Sequence, residues 1–141
     1  MPGLDTSSEE RLAALRTLVE SSGLKVRTAD HTSWVVAYVG DHLETVVVYI
    51  SLFERFALVQ SEVIDAEPTM EQAIQILRMN YVLDLARIAI DDTGVVMALQ
   101  QADIATLSGP ALRRMVQDVA QAADDCARYF KAGPATASLR R

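Results

Sequence analysis

The stretch that decides the fold is residues 33–50, which read SWVVAYVGDHLETVVVYI. Residues 33–39 and 42–50 are rich in β-branched and aromatic side chains, a composition typical of strands. Between them Gly40-Asp41 is a two-residue turn signal, so the stretch predicts a β-hairpin. We therefore expect an antiparallel sheet, to which the rest of the chain adds strands and helices.

Three more strands are predicted downstream of this hairpin. Residues 56–64 continue the sheet, and residues 82–90 and 95–100 form a second hairpin. The turn of the second hairpin, residues 91–94 (DDTG), has Asp first and Gly fourth, as an ordinary type I turn favours. Residues 25–28, which precede the first hairpin, have the pattern of a short extended segment.

Two of the three predicted helices lie at the ends of the chain. The first follows the hydroxyl caps of residues 6–8 and ends at Gly23, because glycine tolerates the left-handed conformation. The last is capped by Ser108, and Asp124 and Asp125 belong to its solvated face. Its apolar stripe recurs at helical spacing and consists of Leu112, Met115, Val116, Val119, Ala120, Ala123, Ala127 and Phe130.

The remaining helix lies between the two hairpins. Pro68-Thr69 opens it, and Asn80 is predicted to end it because asparagine adopts left-handed backbone angles more readily than most residues. Its apolar face consists of Met70, Ala73, Ile74 and Leu77.

The predicted element order is α-β-β-β-α-β-β-α. Every link between successive strands is short, which favours an α+β fold with a five-stranded antiparallel sheet and three helices. Residues 1–131 are expected to form one domain, and residues 132–141, rich in Ala, Gly, Pro and Ser, a flexible C-terminal tail.

Composition excludes several classes of partner. The 141 residues carry a net charge of −6 and half of them are hydrophobic. An acidic chain without a basic patch is repelled by nucleic acid and by anionic membrane surfaces. The single cysteine cannot form an intrachain disulfide, and the start MPGLDT has no signal-peptide character. We expect a cytoplasmic protein that binds neither nucleic acid nor membrane.

No catalytic, metal or cofactor site is predicted. The only histidines, His31 and His42, have no other ligand at metal-binding spacing, and Cys126 lies beside the apolar stripe of the last helix. Phosphate-binding and hydrolase motifs are absent from the sequence. An enzyme whose site is assembled from ordinary polar residues stays an open alternative.

The hairpin pattern predicts a second sheet face that needs a cover. With a two-residue loop, one face carries Trp34, Val36, Tyr38, Leu43, Val47 and Tyr49 and packs on helices. The other face carries Val35, Ala37, Val39, His42, Glu44, Val46, Val48 and Ile50. A bound protein segment, a second copy of the chain, or the domain's own helices and tail would cover these apolar residues.

The second half of the chain resembles the YbjN-type family. The residues that carry the resemblance are 77–81 (LRMNY) and 85–94 (LARIAIDDTG), followed at the expected distance by the helix with Leu112, Met115, Val119 and Ala123. The family shares its element order with the small acidic chaperones of type III secretion. The resemblance implies a compact, often homodimeric domain that binds a protein client without a cofactor, with a loose link to stress response and regulation.

The preferred hypothesis is a non-enzymatic, chaperone-like adaptor that holds a client protein on a sheet face or by addition of a strand to a sheet edge. The candidate contacts are Val35, Val46, Val48, Ile50, Val96 and Ala98, with Arg87 as a polar neighbour. The alternative hypothesis is a sensory or regulatory domain that binds a small molecule between sheet and helices near Trp34 and Tyr38.

Overall fold

The structure is a computed structural model and describes residues 2–131, so the predicted tail, residues 132–141, lies outside the described residues. The elements are α1 (Pro2–Ser21), β1 (Thr28–Ala29), β2 (Ser33–Val39), β3 (Thr45–Phe53), β4 (Phe56–Ile64), α2 (Met70–Val82), β5 (Arg87–Ile90), β6 (Val96–Asp103) and α3 (Gly109–Lys131). The predicted α+β class is confirmed. The sheet has six strands rather than five, because the two residues of β1 pair with β2.

All strand pairs are antiparallel, in the order β1-β2-β3-β4-β6-β5. The amphipathic helix α3 lies across β3, β4, β6 and β5, with α1 beside it and α2 against α3 and the edge strand β5. The three helices and one sheet face enclose the core, which includes Leu15, Val48, Val59, Val96 and Val116. Full burial of one such side chain stabilises the fold by about 1.5–3 kcal/mol.

The first hairpin forms as predicted, but its register differs. Val39 pairs with Thr45 and Trp34 with Ile50, so the loop spans residues 40–44 instead of the two residues Gly40-Asp41. The predicted pairing is thus displaced by three positions. An odd displacement moves every side chain of one strand to the opposite face relative to the other strand.

Two predicted helix ends are confirmed. Gly23 follows α1 with a φ of 77°, the left-handed conformation that glycine tolerates. Ser108 precedes α3, and its Oγ accepts a hydrogen bond from the backbone N–H of Ala111 at 3.2 Å. The start of α1 was predicted wrongly: the helix begins at Pro2, so residues 6–8 lie inside it.

The end of α2 was also predicted wrongly. The helix continues past Asn80 to Val82, and β5 begins only at Arg87. The side chain of Asn80 forms hydrogen bonds with the backbone of Ile88 instead of ending the helix.

The turn between β5 and β6 is as expected, because the N–H of Gly94 donates to the carbonyl oxygen of Asp91 at 3.1 Å.

Candidate protein-binding surfaces

The sheet face opposite the helices, called the open face below, is not covered by any helix of residues 2–131. Strand pairing aligns one residue from each of five strands in a row across it: Val35, Tyr49, Gln60, Leu99 and Arg87. These side chains are half-buried or exposed, and 45% of the Tyr49 surface is accessible. The open face therefore presents an aromatic and two aliphatic side chains among polar ones, as protein-binding surfaces do.

Only two of the seven predicted contact residues lie on the open face. Val35 and Arg87 stand at the two ends of the row described above. The other five point into the core with at most 2% of their surface accessible: Val46, Val48, Ile50, Val96 and Ala98.

The five buried residues were misplaced for two physical reasons. The longer β2–β3 loop turns Val46, Val48 and Ile50 towards the helices. In the run from Val95 to Leu99 both sets of alternating residues are apolar, so periodicity alone does not distinguish the core face. The structure puts Val96 and Ala98 on that core face.

One edge of the sheet has free backbone groups. The carbonyl oxygens of Ser33 and Val35 accept N–H groups from residues 30 and 27 on the β1 side. Because alternate residues of a strand direct their backbone groups to the same side, Ala37 and Val39 point outwards too. Within residues 2–131 neither has a hydrogen-bond partner on that side, and 94% of the Val39 surface is accessible. An extended segment can add to this edge beside the open face.

Helix α2 exposes an apolar stripe to solvent. Met70, Ile74, Leu77 and Tyr81 follow one another at spacings of four, three and four residues, with 78, 41, 69 and 90% of their surfaces accessible. The side of α2 that faces the core carries Ile76 and Met79 instead. The predicted apolar face of this helix thus exists, and its residues Met70, Ile74 and Leu77 face the solvent. A stripe of this kind is unusual on a solvated helix.

The loop between β2 and β3 is held by a carboxylate of α3. Asp124 Oδ2 accepts the N–H of Asp41, and Asp124 Oδ1 accepts those of His42 and Leu43, each at 2.9 Å. Gly40 leaves room for this approach, because a Cβ there would lie 2.5 Å from Asp124 Oδ1.

Asp124 is an ionised, buried carboxylate. Burial raises its pKa, but the hydrogen bonds from the N–H groups of Leu43, Asp41 and His42, together with the charge of His42, lower the pKa below the ordinary 3.8. Only 5% of its surface is accessible, which corrects the prediction that it lies on the solvated helix face. Asp124 follows Ala120 by four residues and precedes Ala127 by three, so its position on the apolar stripe was a signal available in the sequence.

A cavity of about 250 Å³ lies beside this loop. Tyr38, Gln117, Gln121 and Asp124 are among its lining residues, whereas Trp34 is packed in the core. Its volume is below the roughly 300–1,000 Å³ typical of small-molecule sites. Of the two aromatic residues that suggested a ligand site, Tyr38 lines this cavity and Trp34 does not.

The described residues offer little reactive chemistry. No three His, Cys, Asp or Glu side chains among residues 7–130, whose side chains the structure describes, are grouped to hold a metal ion. Cys126 is fully buried, and burial raises its pKa to about 11, so its thiol is unreactive at neutral pH. None of the helices described has the length and apolarity needed to cross a bilayer.

No protein-family model matches the chain, and no curated protein matches it. Solved structures do match. A chain of the heterodimeric ExoU–SpcU complex from the type III secretion system of Pseudomonas aeruginosa aligns with a TM-score of 0.59 at 17% identity, covering 79% of this chain and 93% of that one.

Two further structures extend this likeness. A chain of the complex between the Yersinia pestis type III secretion chaperone SycH and a fragment of YscM2 aligns with a TM-score of 0.54 at 21% identity, covering 80% of this chain and 96% of that one. YbjN from E. coli aligns with a TM-score of 0.61 at 11% identity, covering 84% and 92%. At such identities the likeness concerns the fold, and the expected YbjN-like, type III secretion chaperone fold is confirmed.

Proposed function

We propose that this domain is a non-enzymatic, chaperone-like adaptor that binds an extended segment of a partner protein at the β2 edge of its sheet. The observation that carries the proposal is the free edge at Ala37 and Val39. A partner strand there would gain main-chain hydrogen bonds, while alternate side chains of the partner would reach the open face next to Val35.

The structural likenesses support a protein partner. The SycH and ExoU–SpcU structures are complexes between two proteins, and one chain of each shares the fold of this chain. Strand addition needs no cofactor and no catalytic group. A role in stress response or regulation, and a cytoplasmic location, remain predictions drawn from the sequence.

The exposed stripe on α2 belongs to a second contact in this proposal. A second copy of the chain would bury Met70, Ile74, Leu77 and Tyr81 against their own counterparts, which is the self-complementary contact of a two-fold dimer. Helix α2, which carries the stripe, packs beside β5 at one end of the strand order. The free edge of β2 lies towards the other end. A dimer would thus leave both β2 edges accessible to partners.

The test of strand addition is capture of partner proteins from a lysate of the native organism by Ala37→Pro and Ala37→Thr. Proline removes the outward N–H of Ala37 and places its ring on the edge, whereas threonine keeps the N–H and suits a strand. We expect Ala37→Thr to retain the wild-type partners and Ala37→Pro to lose them at least tenfold, with circular dichroism unchanged.

Equal capture by the two variants would overturn strand addition at this edge. Capture of no protein by the wild type, combined with a saturable thermal shift with a metabolite at the Tyr38 cavity, would favour the small-molecule sensor instead.

A further inference from the structure

The two edges of the sheet differ in whether their outward backbone groups have hydrogen-bond partners. At the β5 edge the backbone N–H of Ile88 donates to Asn80 Oδ1 at 2.8 Å, and Asn80 Nδ2 donates to the carbonyl oxygen of Ile88 at 2.9 Å. A carboxamide presents one acceptor and one donor group, as the peptide groups of a neighbouring strand do. The side chain of Asn80 therefore occupies the place that one residue of a seventh strand would take.

The contact with Asn80 satisfies the backbone groups of one of the two β5 residues that point outwards. The strand has only four residues, Arg87–Ile90, and neighbouring residues direct their backbone groups to opposite sides. Since Ile88 points outwards to Asn80, Ile90 is the one other residue of β5 that points away from β6. The gain from one remaining pair is smaller than the conformational entropy lost when an incoming strand is ordered.

An open β5 edge would be hazardous in this fold. The β2 edge presents free backbone groups at Ala37 and Val39, so a second open edge would allow β2 of one copy to pair with β5 of the next. Such a contact is head-to-tail and does not close on itself, so it grows into a fibre. A fold that keeps one edge free for a partner therefore benefits from a device that keeps copies of the chain from pairing at the other edge.

We propose that Asn80 is a specificity-determining residue that closes the β5 edge, so that strands add at the β2 edge alone and copies of the chain do not join edge to edge. The choice of the β2 edge for a partner rests on the proposed function. The closure of the β5 edge is argued from the position of α2 beside β5 and from the two hydrogen bonds between Asn80 and Ile88.

The first experiment uses the purified chain alone. In Asn80→Ala at low concentration, amide hydrogen exchange at Ile88 should accelerate about tenfold, the loss expected for one hydrogen bond. As concentration rises, light scattering should show masses that grow beyond the largest wild-type species. In Asn80→Asp the carboxylate still accepts the Ile88 N–H but no longer donates to its carbonyl oxygen, so we expect slower exchange and less growth than in Asn80→Ala.

The second experiment identifies the edge that is used for growth. Ala37→Pro added to Asn80→Ala should restore the wild-type mass, because the growing contact needs the β2 edge. Wild-type mass of Asn80→Ala at every concentration, or growth that Ala37→Pro leaves unchanged, would overturn the inference. If circular dichroism shows that Asn80→Ala is unfolded, Asn80→Asp is judged by the same criteria.

The outcome is independent of partner capture. If Asn80→Ala assembles and Ala37→Pro blocks that assembly, the β5 edge is closed by Asn80. Should Ala37→Pro alone still capture the wild-type partners in that case, the proposed function fails while the closure stands.

Discussion

Among single residues, Asp124 links the longest helix to the first hairpin. Its carboxylate satisfies three successive backbone N–H groups, from Asp41 to Leu43, that would otherwise have no partner in a loop with few bonds of its own. A buried carboxylate is stable only when its oxygens are satisfied in this way. The residue is therefore structural, although the pair Asp124-Asp125 reads in the sequence as an ordinary solvated helix face.

The pH dependence of Asp124 has a definite sign. Because its pKa is lower in the folded protein than the ordinary 3.8, the unfolded chain takes up the proton first. The stability that Asp124 contributes is complete above pH 3.8 and is lost as the pH falls through the lower, folded value.

We expect Asp124→Asn to lower the free energy of unfolding by about 2 kcal/mol at neutral pH, since hydrogen bonds to a charged group are lost. The difference between wild type and variant should shrink as the pH falls below 3.8, because the unfolded wild-type chain takes up the proton there before the folded protein does. Urea unfolding across a pH series measures both effects. Asp118→Asn, on the exposed side of the same helix, is the control and should change little; an equal loss in this control would contradict the assignment.

Among elements, the β2–β3 hairpin shows what local sequence decides and what it does not. Alternating β-branched and aromatic residues predicted both strands, because they suit a pleated surface wherever it forms. The loop is held by hydrogen bonds to Asp124, more than eighty positions along the chain from Asp41, and no local turn rule contains that residue. The register, and with it the face on which Val46, Val48 and Ile50 lie, was therefore beyond the reach of hairpin rules.

Gly40→Ala tests the close approach of this loop to α3. A Cβ at position 40 would collide with Asp124 Oδ1 and the carbonyl oxygen of Leu43, so we expect a loss of about 2–3 kcal/mol in the free energy of unfolding. Gly94→Ala is the control, because a Cβ there meets no atom within 4 Å and only the φ of 92° is strained. Its cost should be about 1 kcal/mol. A larger loss for Gly94→Ala than for Gly40→Ala in urea unfolding would disprove the contact.

At the scale of the whole molecule, the fold was predictable and the binding surfaces were not. Element order and short connections were enough for the α+β class, and the resemblance of residues 77–81 and 85–94 to the YbjN-type family led to the type III secretion chaperone fold. The apolar side of α2 was visible as a pattern, yet periodicity does not say whether an apolar stripe faces the core or a partner. The core already receives Ile76 and Met79 from α2, which leaves Leu77 and its neighbours outside.

Assembly of the whole molecule through α2 is tested with Leu77→Glu. A charge in the middle of the exposed stripe should weaken a dimer by about 2 kcal/mol or more, roughly thirtyfold in the dissociation constant. The folded monomer should be unaffected, since 69% of the Leu77 surface is accessible. Sedimentation or light scattering over a dilution series gives the measurement.

Gln75→Glu is the matched control for this dimer. It introduces the same charge on the same helix, about a third of a turn or more from the stripe, and should leave the mass unchanged. A wild-type chain that is monomeric at all concentrations would contradict the proposed dimer, and the stripe would then need another partner.

The burial of Cys126 makes the chain convenient for optical work. Since the only thiol of the protein is fully buried and its pKa is raised to about 11, maleimide and nitroxide reagents should leave it unmodified in the folded state. One cysteine introduced on the surface would then carry a fluorophore or spin label at a single known position without removal of the native residue. Placed beside Val39, such a label would report arrival of a partner strand in real time.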